Sequence, residues 1–69
     1  MSLKRIMMCF SRLAEDGQIE GISFDDILAQ DKSGYLRRMT QDNFKRTTII
    51  AATKSGWGLS PRTRKFYKY

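Results

Sequence analysis

The most regular hydrophobic pattern in this chain lies at its beginning. Apolar residues recur there three and four positions apart, which places them on one face of a helix, while the intervening polar residues fall on the other face. Ser2 is a suitable N-cap and Gly17 a suitable C-terminal stop. The pattern therefore predicts a helix over residues 3–16, and its buried face comprises Leu3, Ile6, Met7, Phe10, Leu13 and Ala14.

A second, shorter helix is predicted after a polar connector. Ile19 and Ile22 are expected to point inward from a brief extended segment. Ser23 then offers an N-cap, and the two carboxylates that follow it favour the positive end of a helix dipole. The predicted helix covers residues 24–30 and buries Phe24, Ile27 and Leu28.

Residues 31–34 have the composition of a turn, in which Gly34 is free to adopt a positive φ. A short helix, a turn and a further basic element follow one another in the order of a helix-turn-helix unit, whose second helix enters the DNA major groove. Residues 35–39 form either a single helical turn or an extended strap, and the sequence does not separate these two structures.

The stretch over residues 40–57 is the longest uninterrupted candidate element, and it has two interpretations. Suitable N-caps at its start and Ser55-Gly56 at its end favour a helix over residues 41–55. The β-branched run of residues 47–50 instead favours a strand over residues 46–53. In that alternative, residues 54–56 form a hairpin loop and Trp57 opens the return strand of a wing. The caps and the length make the helix the preferred prediction.

The C-terminal stretch, residues 57–69, interleaves cationic and aromatic side chains. Aromatic rings can stack on bases while Lys and Arg contact phosphates. Ser60-Pro61 is also a favourable helix start, so a final short helix is one prediction for this tail. Trp57, Leu59 and Phe66 are expected to close the core, whereas Tyr67 and Tyr69 are the better candidates for exposed contacts.

These patterns predict a mainly α fold, a small helix-turn-helix-like bundle of three to four short helices. A winged-helix variant, with a C-terminal β-hairpin wing, is the alternative that stays open. The whole chain, residues 1–69, is expected to form a single small domain. Because a chain this short buries a low fraction of its surface, oligomerisation also stays open, and we expect a monomer or weak homodimer.

Charge is distributed unevenly along the chain. Residues 1–32 carry four Lys or Arg against six Asp or Glu, a balance of −2, whereas residues 33–69 carry nine against one, a balance of +8. The first half is therefore mildly acidic and the second half strongly basic. Such a chain can present one cationic face, as polyanion-binding proteins do. A charge excess that merely keeps the protein soluble is the plainer explanation.

The residue inventory excludes most catalytic and metal chemistry. Cys9 is the single cysteine and the chain has no histidine, so neither an internal disulfide nor a zinc site can form. Asp25 and Asp26 are adjacent and diverge by about 100° on a helix, so capping explains them better than a catalytic or metal-binding pair. We therefore expect no enzymatic activity, no cofactor and no metal.

The short apolar run near the start is interrupted by Arg12. It is too short for a signal-peptide core or a membrane span, so we expect a cytoplasmic protein without a membrane partner.

The favoured function is a small nucleic-acid-binding protein, in particular a regulatory DNA-binding protein, with RNA as a variant partner. The alternative is an inhibitor or adaptor that docks its basic face on an acidic protein. A basic central element and a basic-aromatic tail supply the expected contacts. The predicted nucleic-acid-binding residues are Arg37, Arg38, Lys45, Arg46, Lys54, Arg62, Arg64, Lys65, Tyr67 and Lys68.

Overall fold

The computed structural model describes residues 2–69, which form three α-helices and a small antiparallel sheet. No helix in that range is both long and apolar enough to cross a membrane. The sheet order is β1-β3-β2, so the last strand of the chain lies in the middle. In chain order the elements are α1 (Ser2–Glu15), β1 (Glu20–Ile22), α2 (Phe24–Gln30), a 3-10 helix (Leu36–Arg38), α3 (Gln41–Lys54), β2 (Trp57–Ser60) and β3 (Lys65–Lys68).

The core lies between the helices and the inner face of the sheet, and aromatic rings occupy its centre. Phe10 of α1 packs against Phe66 of β3 and Trp57 of β2, with ring centroids 5.2 and 5.3 Å apart. Phe24 of α2 contacts Phe66 from another side, at 5.3 Å. Phe66 is fully buried because it faces inward from the central strand. The expected core role of Trp57 and Phe66 is confirmed, and Leu59 packs against the same cluster.

The first two helices follow the prediction from the sequence. Helix α1 spans residues 2–15 rather than 3–16, and α2 has the predicted bounds. Ser23 caps α2 through a reciprocal pair of hydrogen bonds: its hydroxyl accepts from Asp26 N–H at 3.1 Å, and the Asp26 carboxylate accepts from Ser23 N–H at 3.0 Å. Of the residues predicted to be buried in α2, Ile27 is fully buried, while Phe24 and Leu28 are half-buried at the edge of the core.

The inward orientation predicted for Ile19 is wrong, since its side chain is 52% exposed. Ile22 of β1 is fully buried, as predicted. Ile19 precedes β1, and the pairing of β1 with β3 is irregular between Glu20 and Ile22, so the inward orientation of Ile22 does not extend to Ile19 by simple alternation. Ile19 instead contributes its backbone carbonyl, which accepts a hydrogen bond from Lys68 N–H at 3.2 Å.

A buried carboxylate organises the connection between α2 and α3. Asp31 accepts hydrogen bonds from Leu36 N–H at 2.8 Å and from the Ser33 hydroxyl at 2.7 Å. Arg5 of α1 lies 3.5 Å from the same carboxylate. The 3-10 helix of this connection settles the undecided structure of residues 35–39. At residues 31–40, the connection is longer than the three- or four-residue turn usual in helix-turn-helix units.

Helix α3 confirms the preferred prediction for the central stretch, and the strand predicted over residues 46–53 is wrong. Thr40 caps the helix by accepting a hydrogen bond from Asn43 N–H, and Gly56 ends it with φ +82°. Within the β-branched run, the fully buried Thr48 satisfies its hydroxyl by donating to the Phe44 carbonyl four residues earlier. The end caps and the burial of Phe44, Ala51 and Ala52 against the core thus outweigh the strand propensity of this run.

The C-terminal residues form a β-hairpin, so the final short helix predicted for the tail is wrong. Strands β2 and β3 pair with Leu59 opposite Phe66, which places both side chains against the core. Residues 61–64 form the connecting turn, closed by a hydrogen bond from Arg64 N–H to Ser60 carbonyl at 2.8 Å. A C-terminal hairpin is therefore present, but its strands and turn lie further along the chain than the sequence alternative placed them.

Candidate nucleic-acid interface

Helix α3 has one buried face and one exposed face. Phe44, Thr48, Ala51 and Ala52 are buried against the core, and the two alanines are no more than 1% exposed. With about 100° between successive residues, the opposite face is centred on Arg46. The exposed residues on that side are Asp42, Arg46, Ile49, Ile50 and Thr53.

The hairpin turn brings a second basic element to the N-terminal half of α3. Lys45 of α3 and Arg64 of the turn line the same groove, which has a volume of about 260 Å³. The Lys45 ammonium lies 5.7 Å from the Phe24 ring centroid, so the aromatic ring positions this charge at the groove. Asp25 also lines the groove, where α2 begins. Arg46 follows Lys45 in α3 and is exposed, but it does not line this groove, so the groove itself brings together two of the predicted cations.

The backbone of Arg64 is unusual. Its φ of +59° lies in the left-handed region, and it is the one non-glycine residue with positive φ among residues 2–69. This conformation favours glycine, because a Cβ atom costs roughly 1–2 kcal/mol there. The turn therefore places a bulky cationic side chain where glycine would fit with less strain.

The nine cations of the second half of the chain lie on the protein surface. All nine are exposed. Over residues 2–69 the one ion pair within 4.0 Å joins Arg5 to Asp31, so none of these nine has a carboxylate partner. Exposed cations that are not neutralised internally give a surface a positive potential.

The structure does not gather all ten predicted residues on one surface. Lys54 lies nine residues beyond Lys45, about 13 Å further along the α3 axis. Arg37 and Arg38 lie in the 3-10 helix, and Arg62 lies in the hairpin turn. Because Phe66 faces the core, its strand neighbours Lys65 and Tyr67 point to the outer face of the sheet.

Two of the predicted residues are engaged within the fold. Lys68 donates a hydrogen bond from its ammonium to the Ser55 carbonyl at 2.8 Å, at the C-terminal end of α3. The same ammonium lies 5.6 Å from the Trp57 ring centroid. Tyr67 is half-buried, and its hydroxyl lies 3.1 Å from the Thr63 hydroxyl. Tyr69, in contrast, is 94% exposed, as expected.

The site predicted from the sequence leaves out two surface features. Ile49 and Ile50 are 41% and 46% exposed on the outer face of α3, although they are strongly apolar. The cations of the first half also converge, because Lys4, Arg12 and Lys32 line one groove of about 460 Å³ with Arg5. Helical spacing from Phe44 places the two isoleucines away from the buried face of a helix, whereas Lys32 joins the groove only through tertiary packing.

The perturbed ionisable groups have structural explanations. A hydrogen bond from Ser23 N–H lowers the pKa of Asp26, opposed by burial and assisted by a hydrogen bond from the Gln18 amide. Burial acts to raise the pKa of Asp31, but hydrogen bonds from Leu36 and Ser33 and the Arg5 charge outweigh it, and the pKa is lowered. Burial raises the pKa of the Cys9 thiol. Within the described range no group of three Cys, Asp or Glu side chains is placed to hold a metal.

Comparisons of this chain with protein-family models, curated proteins and solved structures find no match. The geometry and the charge of the surface are therefore the basis for a functional proposal.

Proposed function

We propose that this protein is a small nucleic-acid-binding protein that uses α3 and the C-terminal hairpin turn to bind duplex DNA. The observation that carries the proposal is the convergence of Lys45 and Arg64 on one groove, beside the exposed Arg46. Two separate elements thus direct cations to the same side of the molecule, where a phosphate backbone can neutralise both.

The order of the elements supports a winged-helix variant of the helix-turn-helix fold. Helix α2, its connection and α3 provide the two-helix unit, and β2 and β3 provide a hairpin that returns toward the N-terminal half of α3. In this arrangement α3 enters the major groove and the hairpin turn contacts the adjacent backbone. The regulatory role expected from the sequence stays part of the proposal.

A salt series tests this proposal. The affinity of the full chain for random duplex DNA, single-stranded DNA and RNA is measured by fluorescence anisotropy between about 50 and 200 mM salt. Each phosphate neutralised on duplex DNA contributes about −0.9 to the slope of log affinity against log salt. A site built from Lys45, Arg46, Arg64 and neighbouring cations predicts a slope of about −3 or steeper.

A matched pair of triple variants separates a specific surface from net charge. Changing Lys45, Arg46 and Arg64 together to Ala is expected to remove up to three phosphate contacts. The slope of log affinity against log salt should therefore flatten by up to about 2.7. Changing Lys4, Arg12 and Lys32 to Ala removes the same charge from the groove of the first half and is expected to leave most of the slope. A larger flattening of the slope in the second variant would place the binding surface at the groove of the first half instead. Absence of binding to any nucleic acid at low salt would refute the proposal and favour an acidic protein partner.

Three further expectations stay predictions. We propose that the protein has no catalytic activity of its own, that it is cytoplasmic, and that it is a monomer or weak homodimer that pairs more readily on DNA. Pairing on two half-sites would add base contacts that one small module lacks.

A further inference from the structure

Two exposed isoleucines lie beside the central cation of α3. Ile49 and Ile50 follow Arg46 by three and four residues, so they flank it by about 60° and 40° around the helix axis. Both side chains are more than two-fifths exposed. Neither belongs to the hydrophobic core or packs against it as a partly buried residue. The outer face of α3 therefore combines one guanidinium with two adjacent branched apolar side chains.

Given the proposed function, we infer that Ile49 and Ile50 are specificity-determining residues that contact thymine methyl groups in the DNA major groove. The thymine C5-methyl is the one apolar group that a base edge presents in that groove, and apolar side chains recognise it by contact. Arg46 between them is placed to bond guanine at two acceptors. The expected preferred site therefore carries thymines next to a guanine.

The same pair accounts for a preference for DNA over RNA. RNA has uracil, which lacks the methyl group, so the isoleucines would lose their contact. The major groove of A-form RNA is also too deep and narrow for side chains to read, whereas that of B-DNA admits a helix. The charge around the pair selects a polyanion, and the apolar surface selects the methylated base within it.

The experiment compares thymine with uracil at single positions. A preferred duplex is first selected from a random pool with the full wild-type chain. Each thymine of that duplex is then replaced by deoxyuridine, which removes one methyl and leaves base pairing unchanged. Affinities are measured for the wild type, for the Ile49→Ala/Ile50→Ala variant and for a Met8→Ala/Ile19→Ala control. The control removes apolar residues that are 53% and 52% exposed outside α3.

At one or two thymine positions, uracil is expected to weaken wild-type binding by about fourfold per methyl, the equivalent of one buried methylene. The α3 variant should show no such penalty at those positions, while it keeps its salt-dependent binding to random duplex. The control should behave as the wild type.

Equal wild-type affinity for the thymine and uracil duplexes would overturn the inference, and so would a uracil penalty that persists in the α3 variant. Tighter binding of the wild type to RNA than to duplex DNA would also overturn the inference. The protein would then still be a nucleic-acid-binding protein, with RNA as its partner. Absence of binding to every nucleic acid would instead refute the proposed function itself.

Discussion

The left-handed backbone of Arg64 leads to a prediction about both stability and binding. We predict that Arg64→Gly makes the protein more stable and its binding to duplex DNA weaker. Arg64 has φ +59° at the end of the hairpin turn, a conformation that glycine adopts without a steric penalty. Its side chain is exposed and lines the groove that Lys45 also lines. The strain and the proposed contact therefore reside in the same residue.

The size of the effect follows from two opposing terms. Relief of the left-handed conformation contributes roughly 1–2 kcal/mol. The greater freedom of glycine in the unfolded chain costs about 0.5–1 kcal/mol. The free energy of unfolding should therefore rise by about 0–1.5 kcal/mol, with a central value of about 0.75 kcal/mol. In a domain of this size, 1 kcal/mol shifts Tm by roughly 4–8 °C, so an increase of about 3–6 °C is expected at the central value.

Arg62→Gly in the same turn is the matched control. It removes the same charge, but Arg62 has no positive φ and thus no strain to relieve. The control should lower Tm or leave it unchanged. Thermal unfolding followed by circular dichroism measures both variants, and the salt series measures the phosphate contact that Arg64→Gly should lose, about 0.9 of the log-log slope. Equal Tm values for the two variants would refute the strain argument, and unchanged binding by Arg64→Gly would remove Arg64 from the interface.

Two other predictions concern residues engaged within the fold. Asp31→Asn should lower the free energy of unfolding at pH 7 by about 1–3 kcal/mol, because one amide oxygen cannot replace the charged acceptor of two hydrogen bonds. The folded state lowers the pKa of Asp31 from its ordinary 3.8, so its contribution is complete above that pH and declines below it. Urea unfolding should therefore show the stability difference between wild type and variant narrowing as the pH falls below 3.8, and a constant difference would contradict this assignment. Lys68→Met should lower stability by about 0.5–1 kcal/mol through loss of the Ser55 hydrogen bond, and should affect DNA affinity less than Lys54→Met does. A greater effect of Lys68→Met on affinity would return Lys68 to the interface.

The helices were predictable from the sequence because local signals determine them. The α2 bounds follow from Ser23 and its reciprocal hydrogen bonds with Asp26, which involve residues only three positions apart. The α3 bounds follow in the same way from Thr40 and Gly56. Such signals lie within a few residues of the structure that they determine, so reading the chain in order recovers them.

The C-terminal hairpin could not be placed from local signals. Ser60-Pro61 satisfies the rules for a helix start, yet β3 forms because it pairs on both sides, with β2 and with β1 some 45 residues earlier. For example, Ile22 pairs with Phe66 and Leu59 pairs with Phe66 from the other side. Such long-range pairing is set by burial of Phe66 in a core assembled from distant elements, and no window of neighbouring residues contains that information.

The same limit applies to the candidate interface. Counting charges identified the basic half of the chain, but not which of its cations lie on the same surface. Lys65 and Lys68 are close in sequence to Arg64, yet β3 directs Lys65 to the outer face of the sheet and Lys68 to the end of α3. Arg64, in contrast, is carried back to Lys45 across 18 intervening residues by the hairpin. Within one basic tail, the pleat of a strand and the position of a turn thus decide which cations share a surface with α3. The test of this division is direct, because Lys65→Ala and Arg64→Ala remove equal charge, and only the Arg64 change should flatten the salt slope on duplex DNA.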